Sequence, residues 1–183
     1  YIGPSYNDDE IQNEVENNPD LQKFNIEKYE NITLLNQKIA KHIFDNKIIG
    51  YFNNRMEFGA RALGNRSILA NPCNPNIKEI INLKIKRREN FRPFAPAILY
   101  EEKNKWFDNS LANPYMSHVE NIKKDQQNKI PAVTHIDGTG RVQTVTKDMN
   151  ENFYQLIYEF YKLSKVPILL NTSFNENEPI VMD

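Results

Sequence analysis

The sequence predicts an α/β fold, with α+β as the alternative, built on a mixed sheet flanked by helices. Short β-branched apolar runs of four to six residues recur along the chain, and between them lie segments whose apolar residues repeat at helical spacing. Polar stretches bearing Gly or Pro separate the two kinds of segment, as loops over a packed sheet require.

The elements follow in order. Residues 1–31 are acidic and Asn-rich, carry Pro4 and Pro19, and have only scattered apolar residues, so they read as an arm or linker. Thr33 is placed to cap a helix over Leu34–Asp45, with Leu35, Ile39 and Ile43 on one face and Phe44 beside them. Lys47–Phe52 reads as a strand, Asn53–Arg66 as a loop with Gly59 and Gly64, and Ser67–Ala70 as a short strand. A helix over Asn76–Lys86 turns Ile77, Ile80, Ile81 and Ile85 inward. Pro93 and Pro96 bracket the start of a strand ending at Tyr100, and a short helix covers Glu101–Phe107. Asp108–Lys129 is polar and without period. Ala132–His135 and Arg141–Val145 read as two strands joined by residues 136–140. Asn152–Ser164 has Phe153, Leu156, Ile157, Phe160 and Leu163 at helical spacing. Val166–Leu170 is a buried strand opening into a polar loop, Asn171–Pro179.

With 183 residues the chain is long enough for one domain, here 32–183, with residues 1–31 appended. It opens on Tyr1 and stops at Asp183 just after the apolar pair Ile180-Val181, so the expectation is a fragment of a longer protein, truncated at its C-terminus. The single cysteine, Cys73, excludes an intramolecular disulfide and a multi-cysteine zinc site, and its turn-rich setting favours an incidental thiol. No apolar run approaches the roughly 20 residues that span a bilayer, and no signal peptide is visible. The expected location is cytoplasmic, without a membrane partner.

Charge placement is the most informative feature. Of seven arginines, six (Arg55, Arg61, Arg66, Arg87, Arg88 and Arg92) fall between positions 55 and 92, and Arg141 stands alone. The other positive charge comes from 16 lysines. Residues 1–30 hold eight acidic and two basic groups, whereas 55–92 hold nine basic and three acidic ones. A guanidinium grips phosphate or carboxylate oxygens bidentately, so reserving arginine for one window points to an anion pocket. The competing reading is a cluster of surface ion pairs. A total charge of −1 argues against a dedicated nucleic-acid binder and suits a small anionic ligand.

No Gly-x-x-x-x-Gly-Lys-Ser/Thr pattern is present, so the glycine-bearing loop is not a P-loop. On an extended backbone Lys86 and Arg88 point the same way and suit two phosphate oxygens; on a continuing helix they diverge. Asn171–Asn175 offers a hydroxyl and amides to a nucleotide or a small amide. Arg87 reads as a solvated helix-end charge, His135 as a hydrogen-bonded scaffold residue, Asp137 as a turn former, and Trp106 and Phe107 as core. Phe91 and Phe94 fit either core or ligand stacking.

The run Arg55-Met56-Glu57-Phe58-Gly59-Ala60-Arg61-Ala62-Leu63-Gly64-Asn65-Arg66-Ser67-Ile68-Leu69-Ala70 resembles the C-terminal domain of the NodU/CmcH carbamoyltransferases, which O-carbamoylate nodulation factors and antibiotics. Phe91-Arg92-Pro93-Phe94-Ala95-Pro96, the His135–Val145 segment and Leu170-Asn171-Thr172-Ser173-Phe174-Asn175 match the same domain in the same order. Gly3-Pro4-Ser5-Tyr6 resembles the segment that enters it. The resemblance covers roughly residues 47–183. The chain departs from the family pattern at Phe58, where Trp is usual, at Ala60, where Pro is usual, and in lacking a glycine within 175–179. None of these changes removes a cation.

The resemblance implies a YrdC-like domain, a mixed twisted sheet flanked by helices, that binds carbamoyl phosphate and ATP as co-substrate and joins them as carbamoyl adenylate. It implies as partner a separate N-terminal domain of ASKHA type, which binds metal and passes the carbamoyl group to a sugar or natural-product hydroxyl. His42, His118 and His135 are dispersed, so metal is expected only on that other domain. Carried over by motif, Arg61, Lys86, Arg92, Arg141 and Ser173 are the ligands of carbamoyl phosphate and nucleotide, with Lys86 and Arg141 catalytic. Arg55, Arg66, Arg88 and Asn175 form a second tier. A reading of a different class is a non-catalytic YrdC-like module holding nucleotide or RNA; steep salt dependence of binding would mark it.

Overall fold

Ile168-Leu169-Leu170 has no polar side chain, so it belongs where both faces of a sheet are covered, and it lies there. In the computed structural model, which describes residues 1–176 and 178–182, β7 (Ile168–Ser173) is the central strand of five. The order is β1 (Ile49–Phe52), β2 (Arg66–Ala70), β7, β3 (Ala95–Leu99), β6 (Gln143–Val145). β7 runs antiparallel to β2 and β3, and β3 runs parallel to β6, so the sheet is mixed and the fold α/β. A two-stranded ribbon pairs β4 (Glu120–Asn121) with β5 (Thr139–Gly140). No helix among the described residues is long and apolar enough to cross a membrane.

The register matters for the site. Asn171 lies opposite Leu69 on β2 and Ala95 on β3, while Ala97 lies opposite both Leu169 and Gln143. Paired residues share a face of the sheet and positions two apart return to it. Asn171, Ser173, Ala95, Ala97 and Gln143 therefore share one face, and the small alanines of β3 leave room for longer side chains to meet over them.

Helices α2 (Ile32–Phe44) and α6 (Glu151–Ser164) pack on each other, and α6 packs on β7 and β3. Phe153, Leu156, Ile157 and Phe160 of α6 are fully buried, with Ala40 and Ile43 of α2 in the same core. Full burial of such a side chain contributes roughly 1.5–3 kcal/mol. Asn150 caps α6 by accepting from Phe153 N at 3.2 Å, and Lys165, at φ 62°, ends it. Gly64, at φ +96°, lies against Phe153: a β-carbon there would sit 2.2 Å from the ring.

Several sequence expectations change. Helix α2 begins two residues early, because Asn31 instead of Thr33 supplies the cap, accepting from Thr33 N at 2.8 Å. The acidic segment 1–31 contains a helix, α1 (Asp8–Asn17), closed by a capping box between Asn7 and Glu10 and burying no residue. Ala132–His135 is no strand. Ala132 and Val133 are buried in a turn, donating to Pro72 O and Ile130 O, and burial there gives the same apolar run that a strand would. Strand β7 extends through Asn171, Thr172 and Ser173, which the sequence places in a loop. The expected helix over 76–86 is split into α3 (Ile77–Ile80) and one wide π turn, Ile81–Ile85. The short helices α4 (Lys103–Trp106) and α5 (Lys124–Gln127) complete the chain, and Trp106 and Phe107 belong to the core.

Candidate anion-binding cleft

The loop between β1 and β2 is shaped by one buried carboxylate. Glu57 accepts from the backbone N–H groups of Leu63 (2.6 Å), Asn65 (2.8 Å) and Arg66 (3.0 Å), drawing residues 57–66 into a closed loop. Charge-assisted bonds of this kind stabilise by about 1.5–3 kcal/mol each. The loop presents Ala60, Arg61 and Ala62 to a cleft of about 330 Å³ at the C-terminal end of β7.

The second wall follows the wide turn. Lys86 N donates to Ile81 O at 2.8 Å, five residues back, and Arg87 then takes a left-handed φ of 44°. The expectation for Lys86 and Arg88 assumed either a strand or a continuing α-helix; neither is present. Lys86 is fully buried, and its Nζ reaches the end of β7, donating to Ser173 Oγ (3.2 Å), Asn175 O (2.7 Å) and Asn175 Oδ1 (2.8 Å). Burial, with the neighbouring Arg88 charge adding to it, pulls the Lys86 ammonium down to about 8. Arg88 lines the cleft instead, its Nε donating to Asn82 Oδ1 at 2.7 Å and its guanidinium 5.1 Å from the centre of the Phe94 ring. Burial, then the Arg92 charge, lowers its pKa from the usual arginine range. Asn82 also donates to the carbonyls of Asn90 and Arg92, so one buried amide ties the loop together.

The third wall brings Arg141, His135 and Met116. Arg141 donates to Met116 O at 3.4 Å. That carbonyl is set by Asn113, whose Oδ1 accepts from Ser117 N and whose backbone N–H donates to Thr144 Oγ1 on β6. Below it the buried pair Lys103–Glu120, 2.8 Å apart, anchors β4. His135 Nδ1 lies 3.1 Å from Thr139 Oγ1, and burial holds its pKa below the ordinary value, with Lys78 and Arg141 adding to the depression against Asp137. Asp137 closes the turn by accepting from Thr139 N and Oγ1.

The floor is β7, through Asn171, Thr172 and Ser173. Of the sequence candidates, Arg61, Arg88, Arg92, Arg141 and Ser173 thus line one cleft, drawn from segments far apart in the chain. Lys86 and Asn175 stand behind Ser173, held to each other. Arg55 and Arg66 do not line it. Arg55 donates to Gly3 O and Ile2 O, fastening the N-terminal residues. Arg66 is buried, stacked 3.4 Å over Phe52, and spends its guanidinium on the carbonyls of Asn53, Asn54 and Asn65. Arg87 is exposed and pairs with Glu176. Phe94 is buried and Phe91 exposed.

Electrostatics favour an anion here. Among the described residues Arg61, Arg88 and Arg141 form no ion pair, and Arg92 pairs only with half-exposed Glu89. Three guanidinium groups without a paired carboxylate, and a fourth paired with Glu89, surround a partly enclosed space with donors of the kind that suit phosphate oxygens. No group of three or more His, Cys, Asp or Glu among the described residues is placed to hold a metal ion. The Cys73 thiol is pushed up to about 11 by burial, so it is protonated at neutral pH. Sequence reasoning missed Glu57 and Asn82 as site-building residues; the amide of Asn171 was read as a ligand-facing group of a loop and lies instead in β7. Of the two missed, Asn82 carried a signal, being a polar side chain beside the inward Ile81.

Comparison with known proteins shows the family of the chain. Residues 40–183 match the family model described as carbamoyltransferase C-terminus. The chain is 47% identical over 148 residues to nodulation protein NolNO of Sinorhizobium fredii, covering 79% of this chain and 22% of that protein. It is 40% identical over 185 residues to nodulation protein NolO of Bradyrhizobium diazoefficiens, covering 99% of this chain and 33% of the relative. To nodulation protein U of Sinorhizobium fredii it is 38% identical over 138 residues, 75% of this chain and 25% of the relative. The chain thus spans between a fifth and a third of the length of these relatives.

Proposed function

Because the chain belongs to the carbamoyltransferase C-terminus family, we propose that its arginine-lined cleft binds carbamoyl phosphate and ATP and supports formation of carbamoyl adenylate. The observation that carries this reading is the convergence of Arg61, Arg88, Arg92 and Arg141 on one partly enclosed space over Ser173.

Joining two phosphate compounds means holding several negative charges close together. Fixed guanidinium groups offset that repulsion and stabilise charge developing at the α-phosphate. The overall reaction consumes carbamoyl phosphate, ATP and water and yields carbamoyl adenylate, pyrophosphate and phosphate. Arg88 and Arg92 come from the segment before β3 and Arg141 from the segment before β6, and all three line the cleft that would hold an acyl phosphate. Lys86 keeps Ser173 in place and adds a buried positive charge behind it. None of these steps calls for a protein nucleophile. In the whole protein, transfer of the carbamoyl group to a sugar or natural-product hydroxyl falls to another domain, the metal-binding N-terminal partner, where the reaction's metal would also be held.

Calorimetric titration of the chain with carbamoyl phosphate, then with a non-hydrolysable ATP analogue, tests the binding half. Pyrophosphate release from ATP in the presence of carbamoyl phosphate tests the chemistry. Absence of carbamoyl phosphate binding, or pyrophosphate release that does not depend on it in the complete protein, would overturn the reading.

A further inference from the structure

Arg141 lies between β5 (Thr139–Gly140) and β6 (Gln143–Val145), and one buried residue is tied to both sides of it. Asn113, 1% exposed, is joined to β6 twice: its N–H donates to Thr144 Oγ1 at 2.8 Å, and its carbonyl accepts from Thr144 N at 3.1 Å. On the other side its Nδ2 faces Glu120 Oε1 at 3.4 Å, and Glu120 lies opposite Gly140 in the register of β4 and β5. The buried Lys103 ammonium, 2.8 Å from Glu120 Oε2, holds that carboxylate in place.

The same side chain clamps the turn that follows it. Oδ1 accepts from Ser117 N at 2.8 Å, and Nδ2 donates to His118 O at 3.0 Å. A backbone N–H only donates and a carbonyl only accepts, so the amide has one workable orientation. Within that closed turn is Met116, at φ 54°, buried and lining the cleft. A left-handed residue with a long side chain is strained, and it persists where its surroundings impose it. Its carbonyl accepts from Arg141 at 3.4 Å, the one hydrogen bond of that guanidinium among the described residues. The geometry points to Asn113 as a positioning residue: by holding Met116 left-handed it aims the Met116 carbonyl, and so fixes the direction in which the Arg141 fork faces the cleft. Asn113 does not line the cleft and acts on a ligand only through Arg141. This rests on the proposed binding of carbamoyl phosphate and adds to it how one of the cations is aimed.

A double-mutant cycle separates aiming from support of the fold. Asn113→Ala and Arg141→Met are made singly and together, and each protein is titrated with carbamoyl phosphate and with inorganic phosphate. Asn113→Ala should weaken both anions by about tenfold when Arg141 is present and by no more than about twofold once it is Met, because only the arginine transmits the change. The fall in Tm should be alike in both backgrounds. Equal weakening in both backgrounds, or none in a folded Asn113→Ala, would overturn the assignment and leave the proposed function standing. Where Asn113→Ala proves too unstable to titrate, the cycle is repeated on Met116→Gly, since glycine adopts a positive φ without strain and, unclamped, leaves the carbonyl equally unaimed. Binding of phosphate but not of carbamoyl phosphate would overturn the proposed function, while the phosphate cycle still decides on Asn113. Binding of neither would overturn both.

Discussion

Lys86 Nζ donates to Ser173 Oγ at 3.2 Å across 87 positions of sequence, joining the turn after α3 to the end of the central strand. The contact lies behind the cleft, and Lys86 spends itself on four acceptors of residues 173 and 175. Its positive charge is therefore built into the fold and does not depend on a ligand to order it.

The charge of Lys86 has a pH signature. Its folded pKa, about 8, lies below its ordinary 10.5, so between those values the unfolded chain holds the extra proton. Burying the charge costs stability below that window, and raising the pH through it relieves the cost, on the order of 2 kcal/mol. Denaturant unfolding followed from pH 7.5 to 10 should show this rise in the unaltered chain and lack it in Lys86→Met. Parallel pH profiles would show that Lys86 titrates as an ordinary lysine.

Arg141 is half-buried, and among the described residues its guanidinium hydrogen-bonds to one carbonyl, Met116 O, which leaves most of its fork for a ligand. Arg141→Lys keeps the charge but offers a point in place of a planar pair of donors. Carbamoyl phosphate affinity should fall by about 1.5–3 kcal/mol, with thermal stability little changed. Unaltered affinity would assign Arg141 to the scaffold.

Burial keeps His135 neutral further down the pH scale than a free histidine. A bound phosphate favours the imidazolium, so the liganded pKa exceeds that of the free protein. Affinity should therefore strengthen as pH falls through the range between the two, with net proton uptake on binding. Titration in buffers of different ionisation enthalpy would reveal the uptake, and His135→Asn should abolish it. Zero uptake between pH 5 and 7.5 in the unaltered chain would remove His135 from the site.

Glu57→Gln tests the loop. The amide nitrogen cannot accept, and the charge that holds three backbone N–H groups is lost. A cost of roughly 2–3 kcal/mol is expected, lowering Tm by about 4–12 °C. Phosphate binding should weaken as well, because Arg61 rides on that loop. A Tm within a degree of the unaltered chain would show that the loop closes without this carboxylate.

Much of the fold was legible where one periodicity ran unbroken. Helix α6 follows from five apolar residues at helical spacing, and the core of β7 from Ile168-Leu169-Leu170. The failures have physical causes. Polar Asn171, Thr172 and Ser173 look like a loop, yet they continue a central strand because β2 and β3 pair with them on both sides. Ala132–His135 looks like a strand because burial in a turn selects the same residues. The arginine window pointed to the cleft region, but composition does not tell a ligand-facing fork from a structural one. Arg66 is spent on backbone carbonyls, a fate decided by the side of β2 from which it projects.

The wide turn at Ile81–Ile85 behaves, in the terms of molecular evolution, as a one-residue insertion into an otherwise regular helix. Removing one residue there would restore even winding and rotate everything after it by about 100°, a single step of a 3.6-residue helix. Lys86 would swing away from Ser173, and Arg88 would leave Asn82 and the cleft. The helix itself would gain regularity, while the arrangement of Lys86 and Arg88 around Ser173 and Asn82 would be lost. The site is thus recorded in the length of this segment as much as in the identity of its residues, and alignments that slide a gap through 81–85 would misplace the cations on which it depends.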